Sequence, residues 1–346
     1  MKNLFFVTGL RKSGTSMVRA LLDGHPEIFV FPANEFELFH YSHHLAFHAG
    51  KYTRERDLNR IKDELSHNSF IERLNKPKVE NDLLTSIDVK AFQAKVASRA
   101  VERYPEIIKV FFEAMAASWK GFSGDLGKMN YAFKCVLNEE YLPEVLKWYP
   151  KAKMVYVLRN PYGHFNAIRN SMRKGVRREG QKLSWWRNPY PVLGGEVRRM
   201  RLSYNFMEKW KEMYPDNFYV LVYDRLVNEP EKELRGLADY LEIEFDESLL
   251  GPTVDGRVWR GNSWTVTDFA GGIDKRPATL WRNHISGFEV RLINQYFGDV
   301  LQNYGFEVLD EHTPLWFPND LTERPLTFML NRLVLKAPSW FGGIKR

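Results

Sequence analysis

The stretch LFFVTGLRKSGTSMVRALL, residues 4–22, constrains the fold more than any other part of the chain. A continuous apolar run ends in Gly9, and after Gly14 the residues Met17, Val18, Leu21 and Leu22 recur at helical spacing. The run is too apolar for a surface strand, and glycine permits a sharp reversal, so the stretch reads as buried strand, glycine turn and helix. A turn of this kind aims the unpaired backbone N–H groups of the helix at whatever lies in front of it. It is an anion cradle.

The same grammar recurs downstream. EEYLPEVLKWYP reads as helix, AKMVYVLRNP as buried strand, and YGHFNAIRNSMRK as helix. The segment from Ser203 to Ile243 repeats helix, strand, helix. Apolar strands alternating with amphipathic helices imply an α/β fold of three layers, P-loop-NTPase-like, with a central parallel sheet and ligands at the carboxyl ends of its strands. Residues 38–128 are polar helical text and read as a helical insertion that shapes a substrate site. Residues 1–310 are expected to form a single α/β domain. Between 251 and 287 the chain is rich in glycine and proline, and long loops in compact domains carry function more often than not. Residues 311–346 mix apolar and basic residues and form a C-terminal arm, read as packed or homodimer-forming, or as making a weak contact with a membrane surface.

The net charge of +7 favours an anionic ligand. Nucleic acid is not expected, since no zinc-finger spacing, basic zipper or RNP-like strand accompanies that charge. Cys135 is the single cysteine and sits in the apolar YAFKCVL, as a buried structural thiol would. No run reaches the length of a signal-peptide core or a transmembrane span. The expected location is cytoplasmic.

The loop departs from a nucleoside-triphosphate site in one informative way. A Walker loop is G-x-x-x-x-G-K-[ST], in which the lysine reaches the terminal phosphates and the hydroxyl binds magnesium. Here Gly9 and Gly14 keep the spacing, but Thr15 and Ser16 follow directly and the lysine, Lys12, stands inside the loop. The strand KMVYVLRNP ends in Arg159, where a magnesium site calls for an acid. Both changes suit an anion held without a metal. Transfer of a sulfuryl group, which carries one negative charge fewer than a phosphoryl group, can run on lysines and backbone dipoles.

On these residues the chain resembles the sulfotransferases that use 3′-phosphoadenosine 5′-phosphosulfate (PAPS) and release adenosine 3′,5′-bisphosphate. RKSGTS is similar to that family's 5′-phosphosulfate loop, with Arg11 replacing its proline. The resemblance implies that Lys12 meets the bridging oxygen and sulfonate, while Ser13, Gly14, Thr15 and Ser16 cradle the 5′-phosphate. VLRNPYGHFNAIRNS is similar to the 3′-phosphate strand and helix, which makes Arg159 a ligand. The family's serine, eight residues on, is Ala167 here, so the hydroxyl contact is expected from Asn166 or Ser171, or is absent. YVLVYDRL looks like the family's Tyr-Glu-Asp-Leu strand. In WRGNSW, Arg260 and Gly261 resemble the late basic-glycine loop that returns to the 3′-phosphate.

The attacking hydroxyl must lose a proton, so a base is expected just beyond the loop. HPEIFVFPANEFELFHYSHH offers Glu27, Glu35 and Glu37. By resemblance to carbohydrate-type members Glu35 matches best, with Glu37 in reserve and a histidine of His40, His43, His44 and His48 as the rival. His40, His44 and His48 share a helical face, but no acid or cysteine completes a ligand set, so no metal is expected. Lys134 reads either as an ordinary strand-end lysine or, by resemblance, as a contact to the sulfonate. Arg169, Arg173, Lys174, Arg177 and Arg178 read as a solvated face or an anionic acceptor site. Trp185, Trp186 and Tyr190 read as stacking residues or core. The function expected is sulfuryl transfer to a hydroxyl of a carbohydrate, glycolipid or small alcohol. The alternatives are a P-loop small-molecule kinase and a non-catalytic nucleotide- or glycan-binding protein.

Overall fold

The structure is a computed structural model that describes residues 2–31, 88–98, 104–119, 122, 124–136, 139–178, 190–254, 256–261, 266 and 271–310. The described residues fall into two compact units. One is drawn from Met1–Leu158, Lys209–Asn262 and Asp268–Asp274, the other from Arg159–Glu208, Ser263–Thr267 and Lys275–Arg346.

The first unit is built on a five-stranded sheet of β1 (Leu4–Thr8), β2 (Ile28–Val30), β3 (Asn130–Lys134), β4 (Lys153–Leu158) and β5 (Phe218–Val222), in the order β2-β3-β1-β4-β5. Every pairing is parallel. All five residues of β1 are buried, as expected where a parallel strand is covered on both faces. Phe6 of β1 meets Phe133 of β3 edge to face at 4.4 Å between ring centroids, one of several aromatic contacts in the core.

From β1 the chain moves to one edge and back through β2 and β3, then passes to the other side of β1 for β4 and β5. The connections leaving β1 and β4 therefore run in opposite directions. A reversal of strand order opens a crevice at the carboxyl ends of the two strands, which is where open α/β sheets bind ligands.

The described helices are α1 (Thr15–Leu22), α2 (Val89–Ala97), α3 (Tyr104–Ser118), α4 (Leu142–Trp148), α5 (Pro161–Arg178), α6 (Tyr190–Met213), α7 (Tyr223–Asn228), α8 (Pro230–Leu241) and α9 (Gly287–Asn303), with short helical turns at Arg276–Thr279 and Leu280–His284. A hairpin of β6 (Thr253–Val254) and β7 (Arg257–Val258) also belongs to the first unit.

In the second unit, α5 starts where Asn160 caps it: its Oδ1 accepts from Tyr162 N (3.0 Å), and Pro161 follows with its φ already helical. The start of α9 carries a capping box. Glu289 N donates to Ser286 Oγ (3.2 Å), and Ser286 N donates to Glu289 Oε2 (2.9 Å).

Candidate anion-binding site

The loop after β1 is shaped by left-handed backbone. Gly9, Lys12 and Gly14 have φ of 134°, 70° and 111°. At Gly9 a Cβ would lie 2.7 Å from the Val157 carbonyl of β4, and at Gly14 it would lie 2.4 Å from the Tyr223 ring. Both glycines are therefore required by close approach as well as by φ. Lys12 adopts the same region with a side chain, at a cost of about 1–2 kcal/mol. Local strain of this kind collects at binding loops.

Three features of this loop suit it to an oxyanion. Gly14 is the N-cap of α1 and supplies no side-chain cap, so the first amides of the helix face outward. Ser13 Oγ is buried without a hydrogen-bond partner, and an orphaned buried hydroxyl implies an acceptor from outside the chain. Lys134, buried at the end of β3, donates from Nζ to Ser16 Oγ (3.2 Å) on the first turn of α1. The register explains its reach, since Lys134 pairs with Val7 two residues before Gly9.

A carboxylate stands at the root of the same loop. Glu139 follows β3 and is buried, and its Oε2 accepts from Thr8 Oγ1 (3.1 Å), the residue before Gly9. Trp210 Nε1 donates to the Glu139 carbonyl (2.8 Å) and fixes the turn. Its neighbour Glu140 has its pKa pushed up to about 7, first by burial and then by the charge of Glu139.

The remaining residues expected at the site are distributed as follows. Arg11 is exposed on the loop. Thr15 and Ser16 are buried at the start of α1. Arg260 is exposed after β7, and Gly261 has φ of 74°.

In the second unit, Arg159 donates from Nη2 to the Pro277 carbonyl. Asn166 spends its amide on the chain itself: Nδ2 donates to His284 O (2.9 Å), and Oδ1 accepts from Asn170 Nδ2 (3.0 Å). Ser171 and Ala167 are half-buried on α5. His164, fully buried, has its pKa lowered by burial, with Glu196 at 3.9 Å opposing.

Two sequence expectations need correction. Arg169 belongs neither to a solvated face nor to an acceptor site. It is 1% exposed, and Nη1 donates to both carboxylate oxygens of Glu289 (2.5 and 2.6 Å), while Nη2 donates to the His284 carbonyl. Glu27 is no base candidate. It precedes β2, so in a parallel sheet it lies at the edge opposite the loop, where it pairs with Lys2 Nζ (3.2 Å). Glu35, Glu37, the histidines of 40–48, Trp185 and Trp186 lie outside the described residues, as do the side chains of Arg173, Lys174, Arg177, Arg178 and Tyr190. Among the described residues no group of three or more His, Cys, Asp or Glu could hold a metal, and no helix is long and apolar enough to cross a membrane.

Thr8, Glu139 and Tyr223 were not anticipated as parts of the loop's support. Each sits at the carboxyl end of a strand or just beyond it, and that position is the signal that could have found them.

Comparison with known proteins agrees with this geometry. The model of the sulfotransferase family matches residues 5–247. A Caenorhabditis briggsae protein named as a protein-tyrosine sulfotransferase is 20% identical over 292 residues, covering 81% of this chain and 81% of that protein. An uncharacterised protein of Aquifex aeolicus (strain VF5) is 23% identical over 260 residues, 72% of this chain; the match spans only 26% of that relative's length. The sulfotransferase domain of the Synechococcus PCC 7002 olefin synthase shares the fold at a TM-score of 0.52 and 18% identity, covering 89% of this chain and 96% of that one. With a family match over most of its length, the chain belongs to the sulfotransferase family and is by class a transferase of sulfuryl groups.

Proposed function

We propose that the protein moves the sulfuryl group of PAPS to the hydroxyl of a carbohydrate, a glycolipid or a small alcohol. The observation that carries this reading is the pair of lysines at one oxyanion cradle: Lys12 inside the loop and Lys134 lodged on Ser16. PAPS supplies the activated sulfuryl group and, as leaving group, a 5′-phosphate.

The chain's own residues take the following roles. Ser13 Oγ and the outward amides of Gly14, Thr15 and Ser16 hold the 5′-phosphate, with Arg11 at the rim. Lys12 neutralises charge on the oxygen that leaves sulfur, and Lys134 holds the sulfonate. A positive charge fixed where negative charge develops, in a site screened from water, acts without reorganisation. Glu35 takes the hydroxyl proton as the acceptor oxygen bonds to sulfur, with Glu37 or a histidine of 40–48 as the rival base. Arg159 and Arg260 anchor the 3′-phosphate, which selects PAPS over ATP. With Asn166 committed to His284 and Asn170, Ser171 is the better source of a hydroxyl contact, and Asn166 serves by holding its neighbours in place.

A phosphoryl-transfer reading has Thr15 where it needs a lysine. Cys135, the single cysteine of the sequence, is buried, which fits a reducing compartment such as the cytoplasm. The reading needs no homodimer, and no membrane contact by the arm 311–346. The name of the Caenorhabditis relative adds the tyrosine phenol to the acceptors worth testing.

The test compares donors. Labelled PAPS and labelled ATP are each offered with a panel of glycans, glycolipids, small alcohols and tyrosine peptides, with and without EDTA. The proposal expects transfer from PAPS that survives EDTA. Magnesium-dependent transfer from ATP would establish the kinase reading, and tight binding of adenosine 3′,5′-bisphosphate with no transfer to any acceptor would establish a non-catalytic one.

A further inference from the structure

The end of α1 farthest from the loop is built around a carboxylate that the chemistry above does not use. Asp23 is the C-cap of α1 and is 5% exposed. A negative charge at a helix C-terminus opposes the helix dipole, so its presence there calls for a reason. Arg19, one turn earlier and fully buried, faces it as a counter-charge and donates to the Phe31 carbonyl (3.1 Å). Beyond the backbone bond from Asp23 N to the Arg19 carbonyl (3.2 Å), three hydrogen bonds join Asp23 to the β6–β7 hairpin. Thr253 Oγ1 donates to Asp23 Oδ2 (2.7 Å) and to the Asp23 carbonyl (3.1 Å), and Gly256 N donates to Oδ2 (3.2 Å).

That hairpin has two residues in each strand, and Gly256 turns it at φ of 69°. A ribbon of this size does not hold its own position. It is anchored on Asp23, while Trp259, buried, donates from N to the Pro252 carbonyl (2.9 Å) and extends the ribbon by one rung. The next two residues are Arg260 and Gly261. One short helix thus carries the 5′-phosphate cradle at its first turn and the anchor of the Arg260 segment at its last. Its eight residues span about 12 Å.

We infer that Asp23 is a positioning residue for Arg260: through Thr253 and Gly256 it sets where the guanidinium stands relative to the loop, and so sets the preference for 3′-phosphorylated nucleotides. The inference rests on the assignment of Arg260 to the 3′-phosphate.

The test is calorimetric titration of the full chain with adenosine 3′,5′-bisphosphate and with adenosine 5′-monophosphate, which lacks the 3′-group. Arg260→Ala is expected to weaken the bisphosphate by about 30-fold while leaving the monophosphate unchanged. Asp23→Ala is expected to weaken the bisphosphate by about 5- to 10-fold, again without touching the monophosphate, and the double variant to bind no more weakly than Arg260→Ala alone. Thr253→Val, which removes one donor and keeps the carboxylate, should shift in the same direction by less, and it carries the test if Asp23→Ala does not fold. Equal loss for both nucleotides, or discrimination intact in the Asp23 and Thr253 variants while Arg260→Ala abolishes it, overturns the inference. If Arg260→Ala leaves discrimination unchanged, the assignment of Arg260 itself falls.

Discussion

Lys12 combines a left-handed backbone with the charge proposed to act on the transferred group, and the two can be separated. Glycine adopts φ of 70° without strain, so Lys12→Gly should raise stability by about 1 kcal/mol while removing the chemistry. Thermal unfolding and turnover measured on the same sample check both halves. Gly14→Ala tests the cradle itself. The new Cβ would meet the Tyr223 ring at 2.4 Å with φ at 111°, and the expected result is a loss of about 1–3 kcal/mol together with weaker nucleotide binding. Glu140 makes a third prediction at this scale. Its pKa in the folded chain is about 7, above the unfolded value of 4.5, so the folded state keeps a proton that the unfolded state releases. Its contribution to stability is complete below pH 4.5 and is lost as pH rises to 7. Discounted for partial exposure, the loss is about 1 kcal/mol. Glu140→Gln should remove that slope in urea midpoints taken from pH 5 to pH 8.

At the level of elements, the fold is legible in the sequence where an apolar run is long and bounded by glycine or proline. The strands at Leu4–Thr8, Lys153–Leu158 and Phe218–Val222 and the helices beside them stand where periodicity placed them. The three residues of β2, Ile28–Val30, are too few to show a period. The β6–β7 hairpin lies in the stretch rich in glycine and proline, and VDGR carries the Asp-Gly signal of a tight hairpin turn. The capping box of α9 is written in the sequence as SGFE. Arg169 and Arg19 illustrate a different limit. Periodicity assigns an arginine to the surface, and only the fold reveals the partner that lets it be buried: Glu289 for Arg169, and the Phe31 carbonyl with Asp23 for Arg19. Removing one member of such a pair leaves the other charge buried, so Arg169→Ala should cost about 3–5 kcal/mol and Arg169→Met less. Denaturant unfolding of the two variants distinguishes a structural ion pair from an acceptor contact.

At the scale of the whole molecule, the site was legible to the extent that it is local in sequence. The loop and Lys134 could be read because each sits at the end of an apolar run. The support of the loop could not, because Thr8 meets Glu139 across 131 positions, and Asp23 meets Thr253 across 230. Such contacts are made by topology, which brings the carboxyl ends of β1 and β3 together and returns the hairpin to α1. The proposed function turns on a lysine inside the loop acting on sulfur. The most direct measurement is the rate at which sulfur-35 passes from labelled PAPS to acceptor in the wild-type protein and in Lys12→Ala, each shown to be folded. The predicted result is a fall of about 100-fold or more in the variant, and transfer by Lys12→Ala at the wild-type rate would contradict the account.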